Sequence, residues 1–356
     1  MILRFYDALQ LDPGALKKAI RTAETPAERH KMQAAIVLRS FLIVAFAMAV
    51  IAPVAGLFGA ENNPVAVALF CILLSIRFVD FGYCIKDSMI NFGIVFLLLL
   101  TAPVAASLVH PVLATLIHFG ALLVILLMTC EAPEMGNGGL YGFSYVYLAG
   151  NPVTGELFWK RALLMLLGYV LCGAILYFKH RHKHQDIRFR QTLTGYSLEH
   201  RKHRWQLRMT IGVSLALGLG DLFHVERFMW AGFAASSLLS SYTDADGVKE
   251  RLSHRICGVV AGSLLFFAVY ELLPASLHSL LGPLGGVCLG FCTDYRFKTA
   301  LNCFVALLLA SGLYGSQGAV LLRIANNLAG VVFGFVIMLL FYALVDHRFE
   351  KKEKTN

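Results

Sequence analysis

SMINFGIVFLLLLTAPVAASLVHPVLATLIHFGALLVILLMTC, residues 88–130, contains no Asp, Glu, Lys or Arg. About 20 apolar residues in a helix cross the hydrocarbon of a bilayer, so this stretch is long enough for two spans. A second charge-free block, Thr299 to Leu322, holds one more. The whole chain follows suit: 58% of residues are hydrophobic, 15% are charged and the mean hydropathy is +0.67. A soluble domain could not keep that much apolar surface from water.

Reading outward from this block gives an all-α polytopic membrane protein with about 12 transmembrane helices. They are expected to begin near Ser40, Val65, Ser88, Val112, Gly139, Ala162, Met209, Trp230, Ile256, Ser276, Thr299 and Ile324, with the fifth, seventh and tenth short. With the N-terminus inside, all 31 Lys and Arg fall in cytoplasmic segments except Lys160, Arg161, Arg227 and Arg323. That bias predicts both termini in the cytoplasm. It also accounts for the net charge of +9 through anionic lipid, without nucleic acid.

The sequence repeats. Gly150, Arg161 and Gly168 recur as Gly312, Arg323 and Gly330 at an offset of 162, and Ala66, Gly82 and Gly93 recur as Ala231, Gly247 and Gly258 at an offset of 165. Arg39 answers Arg208. Two parallel six-helix repeats are therefore expected, residues 38–178 and 209–346, with a substrate path between them. Residues 1–37 form an N-terminal cytoplasmic piece, 179–208 a basic linker and 347–356 a tail. In the N-terminal piece, Asp12-Pro13 caps a short helix with Ala15, Leu16, Ala19, Ile20 and Ala23 on one face, which reads as lying on the inner leaflet. Thr25-Pro26-Ala27-Glu28 is a capping box for the first span. Met1 to Lys31 lacks the apolar region of a secretory signal.

Nothing resembles a nucleophile–base arrangement, a Walker loop or a dinucleotide fingerprint, so no catalytic residue, cofactor or metal is assigned. His180, His182 and His184 alternate with Arg181 and Lys183, cations that repel a metal ion. Gly258 with Gly262, and Gly330 with Gly334, stand four apart on one helical face, and Gly168 matches Gly330. Such glycines let membrane helices approach closely. Leucine at Gly258 or Gly330 should block that approach and alanine should be tolerated. Asn302, Asn326, Asn327 and His118 lie deep in apolar runs and must find partners or line a wet path. Asp244, Asp246, Asp294 and Glu271 sit near span ends, which leaves His118 the one titratable group well inside a span.

The pattern Trp230, Arg255-x2-Gly258-x3-Gly262, Trp159-x-Arg161-x6-Gly168 and Arg323-x6-Gly330 resembles the fusaric acid resistance (FUSC) family, with aromatic-acid exporters as relatives. The resemblance implies outward transport of organic anions, often aromatic carboxylates. Two departures stand out: the basic linker replaces the large cytoplasmic domain of many members, and Ile90 and Leu97 occupy the first-half positions matching Arg255 and Gly262. The expected path residues are Arg161 and Arg323 at the outer ends of the sixth spans, Arg255 at the inner end of the ninth, and Asn302, Asn326, Trp230 and His118. Cations at both mouths attract anions. The alternatives are a passive organic-anion channel and a non-transporting scaffold docking a partner through the linker. Oligomeric state is not encoded in these features.

Overall fold

The computed structural model describes residues 5–242 and 245–349, with only the backbone given at 245 and 246. Asp244 and the tail lysines Lys351, Lys352 and Lys354 lie outside the described residues. All regular structure among the described residues is helical. Two short helices, α1 (Phe5–Gln10) and α2 (Pro13–Thr22), precede α3 (Pro26–Phe58). Then come α4 (Asn63–Ile76), α5 (Ile85–Ser107), α6 (Pro111–Thr129), α7 (Asn137–Ala149) and α8 (Glu156–His180). Beyond the linker helix α9 (Phe189–Thr194) lie α10 (Arg201–Leu222), α11 (Met229–Leu239), α12 (Ala245–Leu272), α13 (Leu281–Gly290) and α14 (Tyr295–Phe341).

Each expected span falls on one of these helices, the last two both on α14. Among the described residues, six helices are long and apolar enough to cross a membrane, and the chain is a multi-pass membrane protein. The fifth and tenth segments, α7 and α13, are short as expected. The seventh is not: α10 begins at Arg201, inside the stretch read as linker, because the basic residues before Met209 continue its helix. The eighth, α11, is instead the short one. The last two spans run together in α14 and are separated at Gly315, whose φ of 68° and ψ of 167° interrupt the helix. A positive φ is accessible to glycine without Cβ strain.

Contacts divide the chain into two compact units, one from Met1–Ala49 and Lys249–Ala325, the other from Val50–Val248 and Asn326–Asn356. The first boundary falls where Pro53, inside α3, denies a hydrogen bond to the carbonyl of Ala49 four residues earlier.

In the first unit, Asp12 caps α2 by accepting from Gly14 and Ala15 N–H, and the Thr25 hydroxyl accepts from Glu28 N–H. The α2 apolar face does not lie open to lipid. Leu16, Ala19 and Ile20 pack with Ala8, Met32, Ala35, Ile36 and Phe291, so α1 and α2 fold onto α3. Further along α3, a Cβ placed on Gly290 of α13 would overlap Ser40. The α12–α14 contact brings main chain against main chain. A Cβ on Gly258 would strike the Arg296 carbonyl and Thr299, and one on Gly262 the backbone of Ala300.

In the second unit α6 packs on α5 and α10, α4 on α7 and α8, and α10 on α11. Gly168 of α8 receives Leu69 of α4. Gly330 and Gly334 of α14 receive Ala231 and Ala235 of α11, with Gly330 against backbone. These contacts overturn the expectation that alanine is tolerated at Gly258 and Gly330, because one methyl group already meets main chain that cannot rotate away.

Candidate functional site

Four arginine positions decide the reading. Arg161, at the start of α8, is 1% exposed. Its Nε donates to Asn62 Oδ1, one Nη to the Asn151 carbonyl and the other to the Glu61 carbonyl, each at 2.8 Å. Three neutral acceptors from separate loops thus surround it, which is the geometry of a clamp. Expected along a substrate path, it is instead occupied in holding the ends of α4, α7 and α8 together.

The second half solves the same problem with a different residue. The carbonyl of Glu226, which matches Glu61, accepts from Asn326 Nδ2 at 3.0 Å. Asn326 therefore takes the clamping place, and Arg323, one turn earlier on α14, points elsewhere.

Within the first unit Arg323 is 7% exposed, and Arg255 stands close enough to oppose its charge. The sequence put these two arginines at opposite mouths; the fold brings them within electrostatic reach. Arg255 Nη1 donates to the Tyr295 hydroxyl at 3.0 Å. The Arg251 guanidinium lies 4.7 Å over the Tyr295 ring. Arg251 and Arg255 are four apart on α12, a spacing at which like charges repel. Nearby acids are partly engaged: Asp294 pairs with Arg296 at 3.0 Å, and Glu250 approaches His254 at 3.8 Å. Arg251 and Arg255 thus meet at Tyr295, and the charge of Arg255 reaches Arg323, an arrangement that attracts anions. Arg251 and Tyr295 were not singled out from sequence, although the i, i+4 spacing of Arg251 and Arg255 was a usable signal.

The other candidates disperse. His118 is buried, with Nδ1 2.8 Å from the Tyr145 hydroxyl, a partnered group between α6 and α7. Trp230 is buried in α11. Asn302 is exposed on the face of α14 that also carries Val305 and Leu309. Among the described residues no three His, Cys, Asp or Glu side chains group to hold a metal ion.

The basic linker is tied down. Asp80, in the turn after α4, lies 3.1 Å from Lys183 Nζ, 3.3 Å from His184 Nε2 and 3.6 Å from His180 Nδ1. Burial pushes the Asp80 carboxyl up. The Lys183 ammonium, the Gly82 N–H and His184 outweigh it and hold the group below its ordinary value. Arg188 pairs with Asp87 at 3.2 Å, and Cys84 N–H donates to the Ile187 carbonyl.

No curated protein and no solved structure matches the chain. Residues 215–337 match the model of the fusaric acid resistance protein-like family. That segment includes α11, α12, α13 and all three clustered arginines. The family is one of membrane transport proteins. Over residues 215–337 this multi-pass membrane protein is similar to the fusaric acid resistance protein-like family.

Proposed function

We propose that the protein exports small organic anions, aromatic carboxylates foremost, and that Arg251, Arg255 and Arg323 form the step at which the anion is held. The carrying observation is that Arg255 and Arg251 meet at Tyr295 and that the charge of Arg255 reaches the buried Arg323. Like charges brought together away from bulk water are costly, and a passing carboxylate offsets that cost through charge-assisted, two-pronged hydrogen bonds. Arg161 is left out, since its N–H groups already serve neutral acceptors.

The proposed setting is a bacterial inner membrane with both termini cytoplasmic and anionic lipid against the basic segments. Two parallel six-helix repeats, 38–178 and 209–346, are the proposed frame. Matching packing supports it: Gly168 meets the second helix of its half and Gly330 the second helix of the other. The first helix of each half also packs on the fourth helix of the other. Ser40 lies against Gly290, and Thr115 against Gly218.

An interior-negative potential favours outward movement of a monovalent anion by about 2.3 kcal/mol per 100 mV, so export needs no coupling ion. His118, bound to Tyr145, is poorly placed as a proton carrier. The test is radiolabelled benzoate flux in proteoliposomes under imposed potentials and pH gradients. Saturable flux that follows the potential is expected. Flux that never saturates would mean a channel, and no flux above protein-free vesicles would overturn the reading.

A further inference from the structure

Like charges four residues apart on a helix drive each other away, and a long arginine side chain has many rotamers to lose on being fixed. Arg251 and Arg255 of α12 face both costs, and one residue of the facing helix holds both heads. The Tyr295 hydroxyl accepts from Arg255 Nη1 at 3.0 Å. The centre of the Tyr295 ring lies 4.7 Å from the Arg251 guanidinium above it, within reach of a cation–π contact. A tyrosine has few side-chain torsions, so its ring and hydroxyl are largely placed once its backbone is placed. That backbone sits where α12 and α14 approach closely. Tyr295 opens α14, and its neighbour Arg296 presents the carbonyl that a Cβ on Gly258 of α12 would strike. The close approach at Gly258 thus sets Tyr295 against the turn of α12 that carries Arg255. Asp294, the acid beside Tyr295, accepts from the Arg296 N–H at 2.7 Å and pairs with the Arg296 guanidinium at 3.0 Å.

We infer that Tyr295 is the positioning residue of the anion step, fixing the two arginine heads relative to each other through two separable contacts. A hydrogen bond holds Arg255 and a ring face holds Arg251. The inference rests on the export reading above and names the group that shapes its site. Heads held in place before the anion arrives avoid the ordering cost that binding would otherwise carry. Tyr295 therefore acts on the affinity for the carboxylate, not on the rate at which the loaded protein turns over.

The two contacts can be removed one at a time. Tyr295→Phe deletes the hydroxyl and keeps the ring, while Tyr295→Leu deletes both. In proteoliposomes at fixed potential, Tyr295→Phe should raise the half-saturating benzoate concentration about tenfold, the scale of a lost hydrogen bond to a charged group. Maximal flux and the melting temperature in detergent should stay as in the parent. Beside Arg255→Gln, Tyr295→Phe should add nothing, because the contact it breaks is already absent. Tyr295→Leu should still add to that background, through Arg251. Parental half-saturation in Tyr295→Phe, or an effect that persists in full beside Arg255→Gln, would overturn the inference and leave export standing. A Phe variant that melts lower, or loses maximal flux with half-saturation unchanged, would also overturn it, since Tyr295 would then only join α12 to α14. A parent protein with no benzoate flux above protein-free vesicles would bring down export, and the inference with it.

Discussion

Asn326 holds the carbonyl of Glu226 at 3.0 Å, at the place where Arg161 holds the carbonyl of Glu61 at 2.8 Å. One structural duty is thus performed by an arginine in the first half and an asparagine in the second. Arg323, the sequence mate of Arg161, therefore does not perform that duty.

Arg161→Gln should therefore act on stability rather than on transport. Removing the guanidinium strips partners from Asn62, Asn151 and Glu61, and each buried polar group left unpaired costs about 1–3 kcal/mol. A total loss of about 3 kcal/mol is expected, visible as a lower melting temperature in detergent and less folded protein in the membrane. Asn326→Ala should cost about 1 kcal/mol by the same assay. A folded Arg161→Gln variant of unaltered melting temperature would show that the clamp carries no weight.

The close helix contacts give a graded series. Gly262→Ala and Gly330→Ala drive a methyl group into the backbone of Ala300 and Ala231, and overpacking costs about 1–3 kcal/mol. Gly312→Ala meets nothing within 4 Å and should be neutral or slightly stabilising through helix propensity. Thermal melts of the three variants, ranked in any other order, would refute this assignment of contacts.

Acid should loosen the linker. Asp80 has its carboxyl held below the ordinary value of 3.8 in the folded protein. A depressed carboxyl contributes stability that is present above the unfolded value and lost as pH falls through the folded one. Melting temperature should accordingly drop as pH falls below about 4, and Asp80→Asn should flatten that drop. Equal pH profiles for parent and variant would mean Lys183, His180 and His184 gain nothing from Asp80.

Helix positions were legible because long charge-free runs admit one explanation in a bilayer, and the caps at Asp12 and Thr25 were legible because short side chains next to Pro13 and Pro26 have few other uses. Grouping was less so. That α3 packs with α13 depends on Gly290 meeting Ser40, and an apolar helix surface does not announce its neighbour when lipid is equally apolar. The arginines were misread for a related reason: Arg161 and Arg323 share a register, but register carries no information on which carbonyls lie nearby. Asn326, three residues on from Arg323, was the local difference that separates their roles.

The central claim is that Arg255 and Arg323 hold a travelling anion. Its most direct test is the initial rate of benzoate flux in proteoliposomes at fixed potential, normalised to folded protein, for Arg323→Gln, Arg255→Gln and their lysine counterparts. Both glutamine variants should remain folded and lose at least tenfold in flux. Lysine should recover part of it, restoring charge without the planar fork. Parental flux from both glutamine variants would contradict the account, because the convergence of the two arginines would then have no bearing on transport.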